Sequence, residues 1–210
     1  MAVALVAAGR AAEAQAPPAA PPPDPPTWDL SASLYNYFLP NDPNYLQPTI
    51  AADRGWLHLE ARANYEGRGV GSAWLGWNLS VGSRVVLDVT PMIGVVFGDT
   101  QGLAAGGRGA LSWRGLELSS ESEYVFDSAG RTERFFYNWS EFTLSPVDWF
   151  RFGVAAQRTR AYATERDIQR GLLVGFSLRH LDITGHVFNP DDSAPTYVLS
   201  ATVNFPLRKR

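Results

Sequence analysis

Apolar and polar residues alternate along most of the chain after residue 27. In the segment 57–65 the odd positions are apolar or aromatic, whereas the even positions are His58, Glu60, Arg62 and Asn64. The same alternation recurs in the segments 103–113, 116–126, 149–159 and 171–179. A period of two places successive side chains on opposite faces of an extended chain, so the pattern predicts β-strands. A helical period of 3.6 is almost absent, and the predicted fold class is all-β.

Twelve segments are predicted as strands. The count depends most on residues 44–52, because Pro48 lies inside that segment and proline cannot donate to a strand ladder. Reading that segment as a loop would leave an odd number, so ten strands are the main alternative to twelve. The predicted strands are 28–37, 44–52, 56–65, 71–80, 84–97, 103–113, 116–126, 134–144, 149–160, 170–179, 181–189 and 196–205.

Three properties of these strands favour a membrane barrel over a soluble sandwich. The less apolar face carries many Gly, Ala and Ser residues with isolated charges and almost no Lys, unlike the outer face of a soluble sheet. Several strands reach the roughly 9–11 residues that a tilted strand needs to cross a bilayer, whereas soluble strands average about 5–6. Aromatic residues gather near strand ends, as in the two interfacial girdles of membrane barrels. One set is Trp28, Trp56, Trp77, Trp113, Trp149 and Phe205, and the other is Tyr65, Phe97, Tyr124, Phe126, Phe136 and Tyr197.

The predicted connections alternate between longer and shorter ones. The longer set is 38–43, 66–70, 98–102, 127–133, 161–169 and 190–195, and the shorter set is 53–55, 81–83, 114–115, 145–148 and the direct turn at 179–180. Membrane barrels have long loops at one end and short turns at the other. We therefore predict a closed, antiparallel, up-and-down transmembrane β-barrel over residues 27–205, with both termini at the short-turn end.

Residues 1–26 are predicted to lie outside the barrel. Residues 1–16 are Ala-rich, contain a short apolar run and end in a small-x-small sequence, which is typical of a secretory signal peptide. The run lacks a preceding positive charge, as a signal truncated at its N-terminus would; a disordered Ala-rich tail is the alternative. Residues 17–26 are Pro-rich and predict an extended linker. Residues 206–210 are predicted to form a basic tail.

Composition excludes several functional classes. The chain has no cysteine, which excludes disulfides and thiolate chemistry. Its net charge is −3 and it has no basic patch, so nucleic acid is not a predicted partner. No apolar stretch approaches the ~18 residues of a membrane-spanning helix. No cofactor is predicted.

The alternation places charged residues on the face that would line the lumen. These predicted lumen charges are His58, Glu60, Arg62, Arg84, Asp88, Arg108, Glu117, Glu121, Glu123, Glu141, Arg151, Arg179, Asp182 and His186. The hairpin registers are expected to pair opposite charges: Arg108 with Glu121, Glu141 with Arg151, and Arg179 with Asp182. Such rows either create a transverse field that orients a polar solute in a channel or form a salt-bridged plug that holds a small barrel shut. The many inward Gly, Ala and Ser residues leave space and favour the channel.

The last strand carries a resemblance to a known class of proteins. Its alternate residues are apolar and end in an aromatic residue: Tyr197, Leu199, Ala201, Val203 and Phe205. This resembles the terminal assembly signal of small, porin-like outer-membrane β-barrels of Gram-negative bacteria. The resemblance implies export, periplasmic chaperones, insertion by the barrel-assembly machinery, contact with membrane lipid and lipopolysaccharide, and periplasmic termini. The chain departs from the usual pattern in that residues 206–210 follow the terminal Phe205.

Three functional hypotheses follow from the predicted barrel: a passive channel for small polar solutes, a closed structural or partner-binding barrel, and a lipid-modifying enzyme. None of His58, His180 and His186 is followed two positions later by serine, as in the outer-membrane phospholipases, and no G-x-S-x-G elbow is present. We therefore predict no catalytic residue. His58 and Glu60 share a face, but satisfied polar residues are a better interpretation of them than a metal site. The aromatic-rich segment 135–142 is interpreted as a strand that crosses an interfacial girdle, with carbohydrate stacking as the alternative.

Overall fold

Thirteen hydrogen-bonded strands form the part of the chain that this computed structural model describes, residues 27–127, 135–160 and 167–206. They are β1 Asp29–Phe38, β2 Tyr45–Arg54, β3 Leu57–Ala63, β4 Val70–Trp77, β5 Leu79–Gly82, β6 Val86–Gly98, β7 Gly102–Trp113, β8 Leu116–Asp127, β9 Phe135–Val147, β10 Phe150–Arg160, β11 Asp167–Leu178, β12 Leu181–Phe188 and β13 Thr196–Pro206. No helix among these residues is long and apolar enough to cross a membrane. The predicted signal peptide and linker, and residues 207–210 of the predicted tail, lie outside the described residues.

The strands close into one antiparallel up-and-down barrel. Each strand pairs with its neighbours in sequence, and β1 pairs with β13 from Asp29 opposite Pro206 to Phe38 opposite Tyr197. Both β4 and β5 pair with β6 in a common register, so they are two parts of one strand interrupted at Asn78. The barrel therefore has twelve strand positions, which confirms the predicted count and excludes ten. Pro206, assigned by sequence to the tail, is the last residue of β13.

Pro91 explains the interruption between β4 and β5. On β6 the ladder to β4 stops at Met92, the ladder to β5 resumes at Val89, and the register is the same on both sides. Because Pro91 has no N–H, it cannot donate a ladder bond at this point. Thr90 Oγ1 instead donates to Asn78 Oδ1 at 2.8 Å. The proline therefore breaks the neighbouring strand without producing the extra residue of a β-bulge.

Pro48 is accommodated inside β2 because of where the β2–β3 ladder ends. Pro48 lies opposite Leu34 of β1, whereas the pairing with β3 begins only at Thr49. The missing N–H therefore falls beyond the β2–β3 ladder, where no strand bond is lost.

Two of the three predicted charge registers are wrong. Arg108 lies opposite Glu121 as predicted. The turn lies at residues 148–149, with Val147 opposite Phe150, rather than at 145–147, so Glu141 lies opposite Ala155 and not Arg151. In the last hairpin the partner of Asp182 is Ser177. Arg179 lies in the turn with φ at 54°, so it does not stand beside Asp182.

The two ends of the barrel differ in their connections. At one end, called the long-loop end, the described connections include residues 39–44, 64–69 and 189–195; at the other, the short-turn end, they include 55–56, 114–115 and 179–180. Connections 83–85 and 99–101 are equal in length, so the predicted difference between the two ends is not strict. Asp29 lies at the short-turn end, because β1 runs from it to the long connection 39–44. Pro206 lies at the same end, because it pairs with Asp29.

Large apolar side chains cover the outward face of the barrel. On β13 the exposed residues Tyr197, Leu199 and Phe205 alternate with the buried residues Val198 and Ser200. The same alternation of exposed and buried residues recurs on β3, β4, β10 and β11. An outward apolar band of this kind is the surface that a membrane barrel presents to lipid.

Apolar and aromatic side chains pack inside the barrel near the long-loop end. One buried cluster consists of Val70, Trp74, Met92, Val96, Ala104, Val125 and Tyr137, and a second consists of Tyr37, Ala155, Leu173, Phe188 and Val198. Trp139 packs against both clusters. The ring of Trp74 lies so close to Gly94 that a Cβ there would stand 2.6 Å from Trp74 Cδ2, so this packing requires glycine. The interior of this half is therefore a packed core.

Candidate functional site: the lumenal cavity

A cavity of about 400 Å³ occupies the lumen towards the short-turn end. Its walls come from β1, β2, β3, β6, β7, β8, β9 and β13. Hydroxyl groups and charged groups line these walls, together with tyrosines that lie towards the packed core. The lining includes Ser31, Ser33, Thr49, Thr90, Ser119 and Thr202, the charged residues Glu60, Asp88, Arg108, Glu121 and Glu141, and Tyr37, Tyr65 and Tyr137. The cavity can therefore hold a small polar molecule.

Arg62 is the centre of a buried ion network between the cavity and the packed core. Its guanidinium pairs with Glu60, with Glu121 Oε1 at 2.7 Å and with Glu123 Oε2 at 2.9 Å. The side chain is only 1% exposed, and the carboxyl groups come from both β3 and β8. Since β3 and β8 lie on different sides of the barrel, the pairs with Glu121 and Glu123 cross the lumen. The rings of Tyr65 and Trp74 also face the guanidinium, at 4.3 and 4.9 Å from their centroids.

Arg108 extends this network into the cavity. It pairs with Glu60, and its Nε lies 3.9 Å from Glu121 Oε2. Unlike Arg62, its side chain is 37% exposed. Arg108 also lines a second space of about 400 Å³ near the short-turn end, together with His58 and Asp88. Its charge is therefore accessible to a solute in the lumen.

Both lumenal histidines contact carboxylates. His58 Nδ1 lies 2.8 Å from Asp53 Oδ1, and its Nε2 lies 3.3 Å from Glu60 Oε2. His186 Nε2 lies 2.8 Å from Glu141 Oε1. Within the described ranges, no group of three or more His, Cys, Asp or Glu residues could hold a metal ion.

The structure brings most of the sequence-predicted lumen charges to the inward face. Those on inward strand positions are His58, Glu60, Arg62, Asp88, Arg108, Glu117, Glu121, Glu123, Glu141, Arg151, Asp182 and His186. Arg151 donates from Nη2 to Thr184 Oγ1 at 2.6 Å and lies 3.6 Å from Asp182. The lumenal prediction is wrong for Arg84 and Arg179, because they are exposed in short turns and do not lie on a lumenal strand face.

The aromatic interior was not predicted from the sequence. Tyr65 was assigned to an interfacial girdle, but its hydroxyl donates to Glu121 Oε1 at 2.9 Å inside the lumen. Tyr137 packs edge-on against Tyr65 at 5.2 Å between ring centroids, and Trp139 packs against Tyr35 and Phe188. Tyr137, Trp139 and Glu141 are therefore lumenal, whereas Phe136 and Phe142 point outward. Because the sequence placed Glu141 in the lumen, its parity could have identified the neighbouring odd positions of this strand as lumenal.

Glu66 is a second residue that the sequence did not indicate. It lies in the connection between β3 and β4, outside the strands, and is 3% exposed. Neither carboxylate oxygen has a hydrogen-bond partner of good geometry among the described residues. Burial raises the pKa of Glu66 above its ordinary value of 4.5, and the nearby Ser72 hydroxyl and Arg62 guanidinium offset only part of this shift. Folding therefore makes ionisation of this loop carboxyl group less favourable than it is in the unfolded chain.

We expect Glu66→Gln to stabilise the barrel at neutral pH. Because the folded-state pKa is raised, the stability that Glu66 contributes is present below about pH 4.5 and is lost as the pH rises through the raised value. Removing the cost of an unpaired buried carboxylate should be worth about 1–3 kcal/mol. Urea unfolding at pH 4 and pH 8 measures the effect. Equal stabilities of the variant and the parent protein at pH 8 would contradict it, and Asp192→Gln, at an exposed loop position, is the control.

Comparisons with known proteins show a similarity in fold but no match in sequence. No protein-family model matches the chain, and no curated protein matches it in sequence. Among solved structures, the KdgM porin is similar with a TM-score of 0.59 and 11% identity, over 83% of this chain and 99% of that chain. The structure of KdgM porin in complex with disordered oligogalacturonate is similar with a TM-score of 0.57 and 10% identity, over the same shares. The chain therefore has the fold of a small porin, a closed twelve-stranded β-barrel.

Proposed function

We propose that this protein is an outer-membrane barrel that acts as a narrow channel for small polar solutes. The observation that carries the proposal is the lumenal cavity of about 400 Å³ lined by hydroxyl and charged groups. The outward apolar band and the similarity in fold to porins support a location in the outer membrane. The long-loop end would then face the cell exterior, and both termini would lie in the periplasm. Strand β13, with its outward Tyr197 and Phe205, would be the segment recognised by the assembly machinery.

The charges of the cavity favour neutral or cationic solutes. Four carboxylates line it, from Glu60, Asp88, Glu121 and Glu141, against the single guanidinium of Arg108. Arg62 compensates part of this excess from outside the lining. One similar porin structure is a complex with disordered oligogalacturonate, a chain of carboxylates. An anionic solute of that type would be repelled by the acidic wall of this cavity.

A closed barrel is the second candidate, and it is favoured by the contacts that cross the lumen. Arg62 joins β3 to β8, and Trp139 joins the two buried clusters. Phe188 points into the barrel and is fully buried, so other side chains fill the lumen around it. A solute that passes from end to end must displace some of these side chains. The channel would therefore be narrow, and its conductance would be small.

Planar-bilayer recording of the refolded protein tests the proposal. We expect small, cation-selective conductance, because carboxylates exceed guanidinium groups along the cavity. Asp88→Asn should lower the cation preference and Arg108→Ala should raise it, since both residues line the cavity. Asp192→Asn, in the exposed connection before β13, should leave the reversal potential unchanged. The absence of current at any voltage from correctly folded protein would overturn the channel and support the closed barrel.

A further inference from the structure

A group of small and polar residues interrupts the outward apolar band on β7, β8 and β9. These residues, called the polar patch, are Gly107, Gly109, Ser120, Ser122, Asn138 and Ser140. They share the outward parity of Leu103, Leu118 and Phe142, which are exposed, and alternate with Glu123 and Tyr137, which are buried inside. Apolar residues flank the patch towards both barrel ends. The polar patch therefore lies at mid-height on the face that meets lipid.

The strand registers make the polar patch one continuous surface. Gly107 lies opposite Ser122, which lies opposite Asn138, and the next row consists of Gly109, Ser120 and Ser140. Asn138 Nδ2 donates to Ser122 Oγ at 2.8 Å and to Ser120 Oγ at 3.0 Å. The hydroxyls of Ser120 and Ser140 lie 2.9 Å apart. Two rows across three strands thus form a single hydrogen-bonded network.

Such a network is unfavourable against hydrocarbon and favourable against protein. Lipid chains offer no hydrogen-bond partners, whereas each serine hydroxyl can donate one bond and accept two. The bonds within the patch leave donor and acceptor capacity at Ser122, which accepts from Asn138. Small residues that let backbones approach closely, combined with Ser and Asn side chains, mediate contacts between proteins in membranes. The patch has both properties, because Gly107 and Gly109 have no side chains.

We propose that the polar patch is the centre of a two-fold contact between two copies of this chain in the membrane. The contact rests on the membrane location given under the proposed function. A two-fold axis parallel to the barrel axis brings the same patch of each copy together, and Ser and Asn are self-complementary because they both donate and accept. Lipid would then contact the surrounding apolar band only.

The surface beside the polar patch fits the same arrangement. An outward groove of about 520 Å³ adjoins Ser140 and is lined by Leu118, Phe142, Val154 and Leu172. On the opposite side of the patch, β6 carries the exposed residues Val89 and Ile93. A two-fold rotation places the β6 side of one copy against the β9–β11 side of the other. The exposed side chains of β6 would therefore enter the groove of the partner copy.

Site-specific cross-linking tests this contact, and the absence of cysteine from the chain makes it direct. Ser122→Cys places a thiol within the patch, and Ile50→Cys places one on the outward face of β2, on the opposite side of the barrel from β9. In lipid vesicles at high dilution we expect oxidation to give a disulfide-linked dimer with Ser122→Cys and monomer with Ile50→Cys. Equal cross-linking of the two variants in folded, inserted protein would overturn the proposal.

Two further variants separate the contact from folding and from channel function. Asn138→Leu with Ser122→Leu extends the apolar band, and Gly109→Leu adds bulk at a position where a Cβ makes only an ordinary contact of 3.5 Å. Both should abolish the dimer in vesicles, measured by energy transfer between labelled copies, while the barrel stays folded. Persistence of the dimer in both variants would contradict the proposal. Failure of the parent protein to insert would contradict the membrane location itself, whereas an inserted monomer would contradict only the contact.

Discussion

Replacing Arg62 with methionine is expected to lower the free energy of unfolding of the barrel by about 3–5 kcal/mol. Methionine keeps most of the volume of the arginine but removes the positive charge that Glu60, Glu121 and Glu123 share. Glu60 and Glu123 are each 1% exposed, so water cannot replace the guanidinium. Urea unfolding of the protein folded into lipid vesicles measures the loss.

An exposed arginine provides the matched control for this prediction. Arg170 pairs with Asp191 at the barrel surface, where both side chains are largely exposed. Arg170→Met should therefore cost only about 0–1 kcal/mol. Adding Glu123→Gln to Arg62→Met should restore much of the lost stability, because Glu123 loses its ion pair whereas Glu60 and Glu121 still pair with Arg108. If Arg62→Met costs no more than Arg170→Met, the network is hydrated and the lumen is open at this level.

The strand order of the barrel could be predicted from alternation because a barrel strand has one face towards lipid and one towards the lumen. Parity assigned residues such as Leu199 and Arg108 to their faces, and the short turn at Gly115 determined the register of β7 with β8. The register of β9 with β10 could not be predicted in the same way, because β9 continues to Val147 and the turn lies at 148–149 instead of 145–147. Glu141 therefore lies opposite Ala155 and not Arg151. Alternation gives the face of a residue, whereas the register also depends on the position of the turn.

The filling of the lumen could not be predicted, because parity gives the direction of a side chain and not the distance to the opposite wall. Val125, Phe188 and Val198 occupy inward positions that the alternation would assign to polar residues. They are buried because side chains from distant strands meet them, as Trp139 meets Phe188 at 5.1 Å between ring centroids. Similarly, Glu66 is in a loop, where sequence predicts solvation. Such contacts depend on barrel closure and on the inner diameter.

Replacing Trp139 with alanine is expected to raise the conductance of the channel severalfold. Trp139 packs against both buried clusters and donates from Nε1 to Glu141 Oε1 at 2.8 Å, beside the cavity. Its indole is the side chain that links the cavity wall to the packed core, so alanine should extend the cavity towards the long-loop end. Planar-bilayer recording measures the change, and Trp139→Phe should give an intermediate value because it keeps part of the ring volume.

Trp149→Ala is the matched control, because it removes an indole of the same size from the outside of the barrel. Trp149 is exposed near the short-turn end and stacks on Phe176 at 6.3 Å between ring centroids. Its loss should leave the conductance unchanged, since no lumenal contact is altered. Folding of each variant is verified by the heat-dependent mobility of the barrel in gels. If correctly folded Trp139→Ala conducts no better than the parent protein, the side chains that limit passage lie elsewhere, and the Arg62 network becomes the constriction to be tested next.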